Sequence, residues 1–164
     1  MDRIVALAVA VSLVTSGCLG GSKPGGWDCS RVDGERLEGF CSGLKADDIE
    51  VVHLTRQGDD VSLAYETTVD MDGIVLTEGE LAGAFDRFGD EIFLVALRFD
   101  RELRDNEFQE PWSVENLQVT VVADGEPRFN YHVEAEWLHN SSNDGVSNRT
   151  MRRIVGSMRT AERE

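Results

Sequence analysis

The chain has 164 residues, with 31 Asp and Glu against 16 Lys and Arg and a formal net charge of −15. That length fits one domain of ordinary size, able to bury a single core unaided by metals. Charge of this sign repels phosphate backbones and argues against nucleic acid as a partner. Lys23 and Lys45 are the only lysines, and the carboxylates run along the chain rather than collecting in a tail. This is the pattern expected of a halophilic acidic surface, whose carboxylates repel one another once salt no longer screens them.

At the N-terminus, Arg3 supplies a short positive region and residues 4–14 are apolar apart from Ser12. That run fits the roughly 7–15 residues of a signal-peptide core and falls short of the ~20 needed to span a bilayer. Thr15, Ser16 and Gly17 then precede Cys18. A small residue directly before a Cys, at the end of such a run, is where lipoprotein processing attaches lipid to the thiol. Residues 1–17 are therefore read as a signal peptide and Cys18 as the lipidated start of the mature chain. Residues 13–21 resemble the lipobox of haloarchaeal lipoproteins, with Thr15 where Leu is commoner. No twin-arginine pair is present, so the general secretory route is expected.

Residues 20–26 are rich in Gly, with Ser22 and Pro24, and form a flexible tether. Three cysteines leave one odd thiol in an exported protein. With lipid on Cys18, Cys29 and Cys41 remain to pair in an oxidising compartment. A metal pair is the weaker reading, because neither has a second ligand at close spacing. Residues 18–46 are thus assigned as the anchored tether and disulfide segment, and residues 47–164 as a single domain.

Within that domain, residues 49–55 and 61–69 are β-like and joined by a Gly-containing loop, which predicts a hairpin. Val61, Leu63, Tyr65 and Thr67 share one face of the second run. Thr77 and Glu80 then form a capping box, with Leu76 and Leu81 placed for a hydrophobic staple. The apolar stripe Leu81, Phe85, Phe88, Ile92, Val95, Phe99 and Leu103 predicts one helix over residues 78–103. A second hairpin follows: Leu117, Val119 and Val121 alternate, residues 123–126 turn, and Phe129, Tyr131, Val133, Ala135 and Trp137 alternate on the return. A last helix from about residue 148 to 159 presents Met151, Ile154, Val155 and Met158 on one face. The expected fold is α+β, in the order β-β-α-β-β-α: an antiparallel sheet of two hairpins, with both helices packed on one face.

Over residues 76–137 the chain resembles small haloarchaeal membrane lipoproteins of unknown function. The likeness is carried by the Glu80-Leu81-Ala82 helix entry, a strand opened by Trp112, and the segment from Tyr131 to Trp137. It implies a membrane lipoprotein and transfers no activity.

Candidate chemistry is sparse. His132, Glu134 and Glu136 would share one face of a regular strand and could hold a divalent ion, yet solvent exposure produces the same row. No His-x-x-x-His or Glu-x-x-His spacing supports a metal site. Asp70 to Gly73 is explained by turn residues, since a calcium loop in that register would begin at Thr68 and end at Gly79. No nucleophile elbow or phosphate loop occurs, and no catalytic residues or cofactors are assigned. Asn140 and Asn148 head glycosylation sequons. Arg149, Arg152, Arg153 and Arg159 make the last helix locally basic; pairing with the acidic body is the simpler account, and docking of an acidic partner or headgroup the alternative. The function expected is a lipoprotein anchored at the outer face of the cell membrane, with a small domain that binds an extracytoplasmic protein or a small molecule. The alternative is a small metal-dependent enzyme using the His132 patch.

Overall fold

The computed structural model describes residues 27–71, 81–105, 112–139 and 146–161. A 3-10 turn (Cys29–Arg31) leads into helix α1 (Glu35–Ala46), then strands β1 (Glu50–Gln57) and β2 (Asp60–Glu66) and the long helix α2 (Leu81–Arg104). Strands β3 (Asn116–Ala123) and β4 (Glu126–Glu134) follow, then the short helix α3 (Ala135–His139), helix α4 (Asn148–Gly156) and strand β5 (Arg159–Thr160). The fold is α+β. The capping box and staple proposed for α2 lie outside the described residues, as do Cys18 and Asn140.

The strands lie in the order β1-β2-β3-β4-β5. Both expected hairpins form, but the sheet is mixed, because β2 pairs with β3 in parallel. The reason is α2. Its 24 residues extend about 36 Å at ~1.5 Å per residue, enough to return the chain along the sheet so that β3 starts from the same end as β2. Each hairpin closes in two residues. Gly58 enters the first turn at φ 63°, and Asp124-Gly125 form the second at φ 54° and 74°, the left-handed values of a type I′ turn.

One sheet face is apolar: Val61, Leu63 and Tyr65 of β2, Leu117, Val119 and Val121 of β3, and Phe129, Tyr131 and Val133 of β4 are all buried. They join a single core with Phe88, Ile92, Val95 and Phe99 of α2 and Met151 and Ile154 of α4. Gly89 does not break α2, as the continuous stripe predicted. Ser62, Gln118 and Asn130 point to the opposite face and are exposed. The helices therefore cover one side of the sheet and leave the other to solvent.

Four segments differ from the expectation. Residues 35–46, placed by sequence in the tether and disulfide segment, form α1, which buries Leu37, Phe40, Cys41 and Leu44 in the common core. Its end is a Schellman motif: Ile49 N donates to Leu44 O at 3.0 Å and Asp48 N to Lys45 O at 3.1 Å, with Asp48 at φ 61°. Trp112 does not open a strand; it lies ahead of β3, its ring 6.0 Å from Phe40 and 5.9 Å from Phe99. Strand β4 stops at Glu134, which pairs with the first residue of β3, so the chain beyond has no partner strand and turns into α3. Ala135 and Trp137 thus do not continue the alternation. The last helix ends at Gly156, and Arg159–Thr160 instead pair with Phe129 and Asn130 of β4.

Candidate functional site

The parallel pairing of β2 and β3 brings the first hairpin turn, the approach to β3 and the end of β4 to one end of the sheet. Asp59 O accepts from Glu115 N at 2.8 Å and Asn116 N at 3.3 Å, and Glu115 O accepts from Ala135 N at 2.8 Å. Over these links opens a cleft of about 470 Å³, lined by Asp59, Ser113, Glu115, Asn116, Glu134, Glu136 and His139. Four carboxylates on its walls make it attractive to cations and able to accept hydrogen bonds. His139 Nδ1 lies 2.7 Å from Ala135 O. Since a carbonyl only accepts, the neutral ring carries its proton on Nδ1 and keeps Nε2 as an acceptor.

The predicted metal row is divided by the end of β4. His132 Nε2 lies 3.5 Å from Glu134 Oε1 on the open sheet face, while Glu136 belongs to α3 and lines the cleft. Among the described residues, no three His, Cys, Asp or Glu side chains are grouped to hold a metal ion. The His132 ring instead stands 5.1 Å from the Trp137 ring, over which Arg153 lies at 6.0 Å. His132 is also fixed through its backbone, with its N donating to Ser157 Oγ at 3.1 Å. His53 packs edge-on against Trp27 at 5.3 Å.

Cys29 and Cys41 are bridged, with Cα atoms 5.6 Å apart, and tie the N-terminal turn to α1. Asn148 is the exposed first residue of α4, but Thr150 of its sequon is buried. The Thr150 hydroxyl donates to Trp137 O at 2.9 Å, and its backbone N donates to the capping Ser147 Oγ at 3.1 Å. The sequon is thus part of a helix cap.

Two polar features escaped the sequence reading. The cleft walls Asp59, Ser113, Glu115 and Asn116 come together only through the parallel pairing, which local pattern does not reveal. The second is Glu91, a buried carboxylate on α2. It accepts from Thr67 Oγ1 at 2.8 Å, Thr68 N at 2.8 Å and Thr68 Oγ1 at 2.7 Å, and so clamps the exit of β2 onto the helix. Beside it the hydroxyls of Tyr65 and Tyr131 are buried without a hydrogen-bond partner in good geometry. Burial pushes both phenols well above their ordinary range, and the carboxylate of Glu91 adds to the effect.

No curated protein and no solved structure matches the chain. A family model does: the one described as Domain of unknown function (DUF8159) matches residues 30–164, and the chain belongs to that family.

Proposed function

We propose that this protein is an extracytoplasmic lipoprotein, anchored by lipid on Cys18 at the outer face of the cell membrane, whose domain works by binding. The observation that carries the anchor is the cysteine pairing. With Cys29 bridged to Cys41, Cys18 is the one thiol of the three left over. It stands directly after Gly17, at the end of an apolar run too short to span a bilayer. Among the described residues no helix is long and apolar enough to cross a membrane.

Support for a binding role comes from the uncovered sheet face and the cleft at its end. The cleft offers carboxylates, an amide, a hydroxyl and an imidazole acceptor, groups suited to a cationic or hydroxyl-rich small molecule or to the basic side chains of a protein. The test is the intact mass of the protein extracted unreduced from membranes in high salt. Residues 18–164 plus lipid, less two hydrogens, is the expected result. A mass without lipid, or one beginning elsewhere in the chain, overturns the anchor.

A further inference from the structure

Residues 146–161 contain four arginines and no acidic residue, in a chain whose net charge is −15. Arg149, Arg152 and Arg153 occupy positions i, i+3 and i+4 of α4, and Arg159 follows in β5; all four are exposed. The opposite side of the helix, Met151 and Ile154, is buried in the core. Several arginines elsewhere meet carboxylates, Arg98 with Asp47, Arg104 with Asp100 and Arg128 with Asp124, while Arg56 bonds Gly58 O and Ser113 Oγ. The four on α4 and β5 make no ion pair among the described residues. Arg153 lies instead over the Trp137 ring, and Arg159 donates to the carbonyls of Gly156 and Met158. Among the described residues, pairing with the acidic body therefore does not account for this basic patch.

We propose that the outer face of α4, with Arg159 and the Trp137 ring, docks a carboxylate-rich segment of another extracytoplasmic protein. This goes beyond the binding reading above, which concerns the cleft and the open sheet face, and rests on it for the extracytoplasmic location. The charge complementarity is local: four guanidinium forks, each shaped for bidentate carboxylate contact, have no ion-paired carboxylate among the described residues. An anionic bilayer fits less well on three counts. The apolar side of α4 is committed to the core, so the helix has no wedge to insert. A flat anionic surface would also meet the acidic body, whereas a peptide segment meets only the patch. Finally, Trp27, the first described residue, packs against His53 of β1, while α4 adjoins β4. β1 is one edge of the sheet and β4 lies three strand spacings across it, about 14 Å at ~4.8 Å per strand, so Trp27 sits toward the edge away from the arginines.

The test uses the full-length protein at the lowest salt in which its circular dichroism stays native. Fluorescence anisotropy follows binding of a labelled poly-L-glutamate peptide, in parallel with flotation on phosphatidylglycerol vesicles. Binding of the peptide is expected, weakening as salt rises, with about a tenfold loss when Arg149, Arg152 and Arg153 are all changed to Ser. Arg153→Lys, which keeps the charge and any helix, should lose a smaller part because the fork over Trp137 is gone. Peptide binding unchanged in the triple variant overturns the proposal, as does no peptide binding by the wild type. Capture by the vesicles without peptide binding assigns the patch to the membrane instead. A mass that doubles with concentration, and stays monomeric in the triple variant, assigns it to a second copy. Peptide binding that persists in a protein shown to lack lipid removes the anchor and leaves the docking surface standing.

Discussion

Removing the Glu91 carboxylate should loosen the join between β2 and α2 far more than replacing it with its amide. In Glu91→Ala, the Thr68 N–H loses its acceptor at 2.8 Å and the two threonine hydroxyls lose theirs at 2.8 and 2.7 Å. Hydrogen bonds to a charged group contribute about 1.5–3 kcal/mol each, and the three are not additive; water can reach part of the opened site. A loss of about 4 kcal/mol follows, a large share of the roughly 5–15 kcal/mol that holds a domain folded. In Glu91→Gln, the amide oxygen can still accept from Thr68. Its nitrogen must face Thr67 Oγ1, which already accepts from Val69 N at 3.1 Å and would accept again, leaving its own hydrogen unplaced. That is one unsatisfied donor, costing about 1–2 kcal/mol. Urea denaturation followed by circular dichroism gives both differences, and hydrogen exchange at the Thr68 amide locates them. Equal losses for Ala and Gln, or a Thr68 amide that exchanges no faster in the Ala variant, would refute the clamp.

Other outcomes follow from the same structure. Replacing Cys29 and Cys41 together by Ser should cost about 3 kcal/mol from the loop-closure entropy of a 12-residue separation, read as a lowered urea midpoint with unchanged secondary structure. Tyr131→Phe should be neutral or slightly stabilising, because its buried hydroxyl makes no hydrogen bond of good geometry among the described residues; a loss above about 2 kcal/mol would mean that the hydroxyl is bound. Burial, reinforced by Asp105, holds the Glu102 carboxyl above its usual 4.5. A raised folded value contributes stability below the unfolded value and loses it as pH rises through the folded one. Glu102→Gln should therefore be more stable than wild type at neutral pH, and the gap should close as pH falls below 4.5. Asn148 should carry no glycan, since its sequon threonine is buried in a helix cap; peptide mapping of the native protein decides this.

What the sequence made legible was whatever local periodicity encodes. The alternation of Val61, Leu63 and Tyr65, the stripe along α2 and the Asp124-Gly125 turn each follow from which side of one element must be dry. Helix α1 was hidden because it lacks the usual marks. Gly34 caps it without a side-chain bond, Gly39 and Gly43 interrupt it, and its left-handed exit is Asp48 rather than Gly. One of those internal glycines has a tertiary reason. A Cβ at Gly43 would stand 3.0 Å from Arg98 Cδ, so the close approach of α1 to α2, where Arg98 pairs with Asp47, depends on its absence. The parallel step between β2 and β3 was equally invisible, because two hairpins separated by a long helix fit either sheet topology until the helix is laid along the sheet.

The least legible element, α3, is also the one that organises the surface. Its sequence alternates well enough to extend β4 on paper, which would set Trp137 beside Tyr131 and Val133 on the core face. Nothing remains for it to pair with once β3 begins at Asn116, and Arg104 instead donates to Leu138 O at 2.8 Å, holding the helical turn to α2. With Leu138 buried as the pivot, Glu136 and His139 are left to line the acidic cleft, while Trp137 carries Arg153 and its carbonyl receives Thr150. Five residues thus separate surfaces of opposite charge that a continued strand would have merged into one mixed face. The chemistry of this protein's surface is decided less by which charged residues it contains than by where β4 runs out of partner.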